Sequence, residues 1–199
     1  MVRWLQRGSM FVVSFQQFLK LVGGGEDWST GDLLDLGAGD GEVTALLAPA
    51  FRTVYVTEVS NTMQTLLQRR GFHLLGIDEW NVGRKYDVIS CLNLLDRCDK
   101  PLELLNQVHA SLKPNGMVLL AVVLPFSPYV ESAADHEPTE RLNIRGQTFE
   151  DQVVHLVDNV LRPVGFEVIS WSRVPYLCEG DLRQSYYWLD ESIFVLKAV

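Results

Sequence analysis

The segment Asp35-Leu36-Gly37-Ala38-Gly39-Asp40-Gly41-Glu42 constrains this chain more than any other stretch. It follows the apolar run 33–36 and precedes a segment, 43–50, with apolar residues at helical spacing. The pattern predicts a strand that turns into a helix across closely spaced glycines. Glycine removes the Cβ where a ligand must approach the backbone, and it accepts dihedral angles that other residues resist. Such a unit belongs to open α/β sheets, whose ligands lie at the carboxyl ends of the strands.

The rest of the chain repeats the alternation. Apolar runs at 53–57, 72–77, 86–92 and 117–124 predict further strands, and residues 63–68 and 102–112 carry apolar side chains at helical spacing. Ser60 can cap one helix, Asp99 with Pro101 can open another, and Thr148 with Asp151 fits a capping box. Runs that are apolar throughout, with helices between them, imply a parallel sheet covered on both faces. The end of the chain breaks the rhythm: 166–171 and 186–196 both read as strands, separated only by the short segment 175–183, so they should pair antiparallel. The expected architecture is a Rossmann-like, class I α/β fold with seven strands, mostly parallel, and one reversed strand near the C-terminal edge. Residues 1–199 are expected to form one domain. Residues 1–30, with a helix over 10–22 stopped by Gly23-Gly24-Gly25, form a helical extension upon it.

The glycine spacing discriminates between ligands. The dinucleotide fingerprint Gly-x-Gly-x-x-Gly fails, because Glu42 stands where its third glycine belongs. A pyrophosphate would also meet the anions Asp35, Asp40 and Glu42, whereas S-adenosylmethionine is a cation with an amino acid end and tolerates them. Glu58, at the end of the second strand, is placed to accept both hydroxyls of an adenosine ribose. Asp78, Glu79 and Trp80 follow the third strand, where an acid can take the adenine amino group and an aromatic ring can cover the base. Each has a plainer alternative: Asp40 as a turn residue, Glu58 as a helix cap, Trp80 as an ordinary half-buried aromatic.

Bulk properties exclude other classes. At 199 residues with 47% hydrophobic content the chain supports one sizeable core. A net charge of -8 argues against gripping a nucleic-acid backbone, which needs a basic stripe. The three cysteines, Cys91, Cys98 and Cys178, and the four histidines show no metal-ligand spacing, so no metal is expected. No apolar stretch approaches the roughly 20 residues of a membrane span, and the start lacks a signal-peptide core, so the covered chain should not insert in a membrane and reads as soluble. A targeting segment upstream of Met1 would be compatible with this reading, and the compartment is left undetermined.

The fourth strand continues as Cys91-Leu92-Asn93-Leu94-Leu95-Asp96-Arg97-Cys98, and here the sequence resembles the DREV family, the methyltransferase-like nine group of protein histidine methyltransferases. The resemblance extends to Arg7-Gly8-Ser9-Met10-Phe11-Val12, the glycine turn, Leu124-Pro125-Phe126, Pro128-Tyr129-Val130-Glu131 and Pro175-Tyr176-Leu177-Cys178-Glu179-Gly180-Asp181, nearly the whole chain. It implies methylation of Nδ1, the π nitrogen, of histidine in His-x-His segments of other proteins, with S-adenosylmethionine as donor and S-adenosylhomocysteine as product. It further implies that Glu58, Asn93 and Tyr176 contact the cofactor, and that Asp35 and Gly37 shape its pocket. Gly39 is expected to line the same pocket. Asp78 and the segment Asn81-Val82-Gly83-Arg84 depart from the family pattern, as does the loop from Glu131 to residue 147.

A neutral imidazole already carries a nucleophilic lone pair near physiological pH, so no strong base is required. Asp96 is expected to accept a hydrogen bond from Nε2–H and to stabilise the developing imidazolium, with Asn93 positioning cofactor and substrate. The plainer reading of Asp96 is a helix-start carboxylate. Arg97 cannot give up its proton and reads as a structural or peptide-positioning residue. Three alternatives stay open: a nicotinamide-dependent oxidoreductase, an S-adenosylmethionine-dependent enzyme acting on a small molecule or another side chain, and a non-catalytic cofactor-binding scaffold.

Overall fold

The computed structural model of the chain describes residues 10–131, 133–179 and 184–199. Its sheet is built on five parallel strands, β2 (Thr30–Leu36), β3 (Phe51–Thr57), β4 (His73–Leu74), β5 (Tyr86–Leu92) and β6 (Leu112–Val123). To these β8 (Tyr186–Ala198) adds antiparallel along β6, β7 (Phe166–Glu179) antiparallel along β8, and β1 (Met10–Phe11) antiparallel along β7. The spatial order is β1-β7-β8-β6-β5-β2-β3-β4. Helices α1 (Phe15–Leu21), α2 (Glu42–Leu47), α3 (Asn61–Arg69), α4 (Pro101–Ala110), α5 (Phe149–Leu156) and α6 (Arg162–Val164) connect the strands, with a 3-10 turn at Ala48–Ala50 and a π turn at Val157–Leu161.

The α/β architecture agrees with expectation, and three details correct it. The sheet has eight strands rather than seven, and two of them are reversed, β8 and the edge strand β1. β1 is a pairing of two residues, Met10 with Cys178 and Phe11 with Leu177, inside the stretch whose spacing suggested helix; that pairing depends on a partner far away in sequence, which local periodicity does not register. The helix begins only at Phe15, after Ser14 caps it: the Ser14 hydroxyl accepts the Gln17 N–H and the Gln17 side chain accepts the Ser14 N–H. β7 also continues through Pro175 to Glu179, where a connecting segment was expected; β1 pairs only at 177–178, so the proline sits where that edge of β7 is open. The expected boundary at Arg183, the motif residues 7–9 and 180–181, and part of the variable loop at 132 lie outside the described residues.

Strand periodicity divides the apolar residues between two cores. Leu34, Ile89, Leu120 and Phe194 face α4 and α5 on one side; Leu33, Val56, Val88, Leu119 and Ile193 face α1 and α2 on the other, with Phe18 and Leu19 of α1 buried among them. Each fully buried side chain of this size contributes about 1.5–3 kcal/mol relative to exposure. The Thr148 and Asp151 capping box forms at the start of α5 as expected. Asp99 does not cap α4: Lys100 precedes Pro101 there, and the Asp99 carboxylate takes the Thr139 N–H at 2.7 Å and its hydroxyl at 2.8 Å.

Reversal of β8 has a positional consequence. Because β8 runs against β6, an early residue of β8 lies beside the carboxyl end of β6, and Glu191 is paired with Val123. On its other side Glu191 pairs with Val174 of β7, two residues from Tyr176. The carboxyl ends of β2, β3, β5 and β6 thereby share one edge with residues from the last quarter of the chain. No helix among the described residues is long and apolar enough to cross a membrane.

Candidate active site

The bend after β2 is built as the glycines demand. Gly37, Gly39 and Gly41 all have positive φ, at 66°, 57° and 77°. A Cβ on Gly41 would come within 2.7 Å of Leu67 Cδ2, whereas a Cβ on Gly39 would meet nothing within 4 Å. Gly41 is therefore required by packing, and Gly39 opens a surface on which a ligand can lie.

The two acids flanking the bend have separate tasks. Asp35 is buried, and its oxygens accept the hydroxyls of Thr44 on α2 and Ser90 on β5, the latter at 2.6 Å. Burial pushes its carboxyl up to about 6, against the pull of these two hydrogen bonds. Asp35 thus fastens β2, α2 and β5 together beneath the bend and supports the pocket from behind. Glu58 follows β3; its Oε2 accepts the Gly39 N–H at 2.9 Å and its Oε1 the Ser60 N–H at 2.8 Å. An ionised carboxylate has about four acceptor sites, so Glu58, oriented by two backbone donors, keeps capacity for a vicinal diol. Gly37 N–H donates to the Thr57 hydroxyl at 3.2 Å, and Ala38 N–H to the Thr57 carbonyl at 3.0 Å, which binds the bend to the end of β3.

A second cluster forms beyond β5. Asn93 adopts a left-handed φ of 53°, uncommon for a residue with a side chain, with its N–H donating to the Ala121 carbonyl at 3.0 Å. That conformation places its amide against β8, where Nδ2 donates to Glu191 Oε1. Asp96 is buried, with Oδ2 held by Arg97 at 3.1 Å and the Asp96 carbonyl accepting the Tyr129 N–H at 2.7 Å. Burial raises its carboxyl above the usual range although Arg97 pulls it back. Tyr176 is buried on β7 and its hydroxyl contacts Met10 Sδ of β1 at 2.6 Å; burial raises that phenol, with the Cys178 thiol and the charges of Glu191 and Asp96 adding to it. Asn93 Oδ1, Asp96 Oδ1 and Glu191 Oε2 are all buried without a hydrogen-bond partner among the described residues.

The structure therefore brings together Gly37, Gly39 and Glu58 in one group, and Asn93, Asp96 and Tyr176 in another. Leu94, next to Asn93, joins them: its Cδ1 lies 3.1 Å from where a Gly37 Cβ would stand. Asp78 is exposed in the turn after β4, and the neighbouring Trp80 is packed into the core, its carbonyl accepting the Tyr86 hydroxyl at 2.7 Å; that ring is not presented to cover a base. Glu191 went unnoticed in the sequence. The available signal was an acid two residues before Ile193, and so on the same face as Ile193 and Val195 of the apolar run Ile193-Phe194-Val195-Leu196.

The open surface over Gly39, the oriented Glu58 carboxylate and the unsatisfied Asn93 Oδ1 fit a nucleoside bearing an amino acid end. Solved structures of similar fold agree. A SAM-dependent methyltransferase from Leishmania major matches with a TM-score of 0.61 and 15% identity, covering 92% of this chain and 71% of that one. The N-methyltransferase NodS from Bradyrhizobium japonicum, solved in complex with S-adenosyl-L-homocysteine, matches with a TM-score of 0.57 and 15% identity, covering 92% and 85%. A putative RNA methyltransferase from Pyrococcus horikoshii gives 0.60 at 13% identity, covering 93% and 80%. At these identities the likeness concerns the fold. Residues 2–198, however, match the model of a single family directly, and with it the donor that this bend is shaped to receive: the chain belongs to the DREV methyltransferase family and uses S-adenosylmethionine as its cofactor.

Proposed function

We propose that this methyltransferase methylates Nδ1 of histidine in His-x-His segments of other proteins and leaves S-adenosylhomocysteine as the second product. One observation carries the reading. Beyond β5, at the edge where an α/β sheet binds its ligands, stand two buried acceptor atoms without partners among the described residues, Asn93 Oδ1 and Asp96 Oδ1, the latter on a carboxyl that burial has raised. Such a site suits an acceptor that brings its own N–H donor and becomes positively charged, as an imidazole does.

When bound, the cofactor supplies an electrophilic methyl group on a sulfonium. Glu58 holds the ribose hydroxyls, and Gly37 and Gly39 let the backbone approach. Asn93 and Tyr176 fix the amino acid end. Asp35 keeps the bend rigid from below. Asp96 accepts the imidazole Nε2–H, which selects the tautomer whose Nδ1 lone pair points at the methyl, and its charge stabilises the imidazolium that forms. Arg97 holds the other Asp96 oxygen and lies with its guanidinium 5.9 Å from the centre of the Tyr129 ring, so it orients the carboxylate without exchanging protons. Asp78, exposed and close to the end of β4, is left the adenine amino group. The continuous sheet with shared cores on both faces supports treating residues 1–199 as one domain, with α1 of the N-terminal extension 1–30 packed on the sheet.

Mass spectrometry of a His-x-His peptide incubated with the protein and the methyl donor tests the proposal. One added methyl located by fragmentation on Nδ1 is expected. Methyl on Nε2 or on another side chain rejects the assigned acceptor, and no addition to any peptide points to a small molecule or to a scaffold.

A further inference from the structure

Glu191 is a buried acid for which the transfer described above has no use. It lies on β8 with none of its surface exposed, between Val123 of β6 and Val174 of β7. One oxygen accepts the Asn93 amide; the other, Oε2, is buried and has no partner among the described residues. The titratable groups facing it are Asp96, from the segment after β5, and Tyr176 and Cys178, from β7, while β6 presents only Val123. Arg97 is the nearby cation; its side chain is half exposed and already engaged by Asp96. Two carboxyl groups thus share a buried region with no cation between them among the described residues. Both cannot be ionised there cheaply until a positive charge enters.

We propose that Glu191 is a positioning and charge-balancing residue of the transfer site, fixing Asn93 through one oxygen and, together with Asp96, matching the positive charge that the methyl donor carries. The inference rests on the cofactor placement given above. Methyl transfer breaks the S–CH3 bond, leaves its electron pair on sulfur and forms the N–CH3 bond with the acceptor lone pair. The single positive charge moves from sulfur to nitrogen and stays within the site. One carboxylate beside each position suits that movement, Asp96 at the acceptor and Glu191 at Asn93. Burial pushes the Glu191 carboxyl up to about 8, with the Asn93 bond opposing and Asp96 reinforcing it, so the free protein holds a proton there at neutral pH. Entry of the sulfonium displaces that proton to solvent.

Calorimetric titration of the full chain between pH 6 and 7.5, in buffers of different ionisation enthalpy, tests this below the range where a free α-amino group titrates, about 7.7–8.0. The affinity for S-adenosylmethionine should rise about tenfold per pH unit, with close to one proton released per molecule bound. S-adenosylhomocysteine, whose sulfur is uncharged, should release much less. Glu191→Gln, which preserves the acceptor for Asn93, should flatten the profile for the methyl donor to within about twofold over the range, while Glu191→Asp restores a slope. A flat profile in the unaltered protein, equal proton release with both ligands, or an undiminished slope in Glu191→Gln overturns the proposal. Should the variant fail to fold, the contrast between the two ligands on the unaltered protein decides alone. Failure to bind either ligand would overturn the cofactor placement itself, an outcome distinct from binding without proton release.

Discussion

At the glycine bend the chain supplies donors to each oxygen of Asp35 and Glu58, whereas around Asn93 three buried polar atoms have none among the described residues. The two regions sit on the same edge of one sheet, joined through Leu94, and differ in what completes them. The bend is finished by folding: its acids are tied to Thr44, Ser90, Gly39 and Ser60, so the pocket is rigid before any ligand arrives. Under the proposed function the region beyond β5 is finished by its ligands. Unsatisfied buried acceptors each cost on the order of 1–3 kcal/mol, and the protein tolerates that cost where a donor-bearing cation will lie. Stability is thereby assigned to the first region and chemistry, under the same proposal, to the second, a division that mutation can test.

The largest effect should come from the unfinished region. Asp96→Ala is expected to lower turnover on a His-x-His peptide by about 10²–10³-fold, as for loss of other charge-stabilising groups, with the melting temperature little changed. Unchanged turnover would reject the catalytic role and leave Asp96 a structural carboxylate. Next, Asp35→Ala strands the Thr44 and Ser90 hydroxyls and should cost about 3 kcal/mol in denaturant unfolding, together with cofactor affinity. Its charge carries a pH signature as well. A carboxyl at about 6 in the folded chain against an ordinary value of 3.8 binds protons more tightly folded than unfolded, so stability declines as pH rises from about 4 to 6 and is level above. Asp35→Asn should remove that slope.

A smaller effect separates the ligand surface from the scaffold. Gly39→Ala has room for its methyl group but must hold a positive φ, so it should lose only about 1 kcal/mol of stability while methyl-donor affinity, read by calorimetry, drops by roughly tenfold. Equal loss of both would mean that the surface over Gly39 is not where the donor lies. One further effect has the opposite sign. Because the Glu191 carboxyl stands near 8 rather than 4.5, its ionisation destabilises the free protein as pH rises through that window. Glu191→Gln should therefore raise the melting temperature by on the order of 10 °C at pH 8.5 and by at most a few degrees at pH 5.

The contrast also explains what the sequence made legible. The bend could be read because its determinants are local: an apolar run, three glycines and a following helix within a dozen residues, with Glu58 one strand later. The same holds for the capping box of Thr148 and Asp151. Asn93, Asp96 and Tyr176 were found through the motif blocks of the family, since nothing in their own spacing announces a pocket. Glu191 depends on which strand lies beside β6 and in which direction, a pairing that brings it to Asn93, 98 positions away, and periodicity reports that a strand exists without naming its neighbour. The two-residue β1 escaped for the same reason, its partner being Leu177 and Cys178. Asp78 was assigned by its position after a strand, and that strand proved to hold only His73 and Leu74.

β8 enters the edge of the sheet from the opposite direction to the strands that build the bend, while its partner β7 runs with them. In the reading proposed above, the β7–β8 hairpin lends Tyr176 to the donor's amino acid end and Glu191 to its charge, and it contributes nothing to grasping the donor's sugar. Exchanging this hairpin between related enzymes would then retune the grip on the sulfonium end while the preassembled half of the catalyst is inherited intact.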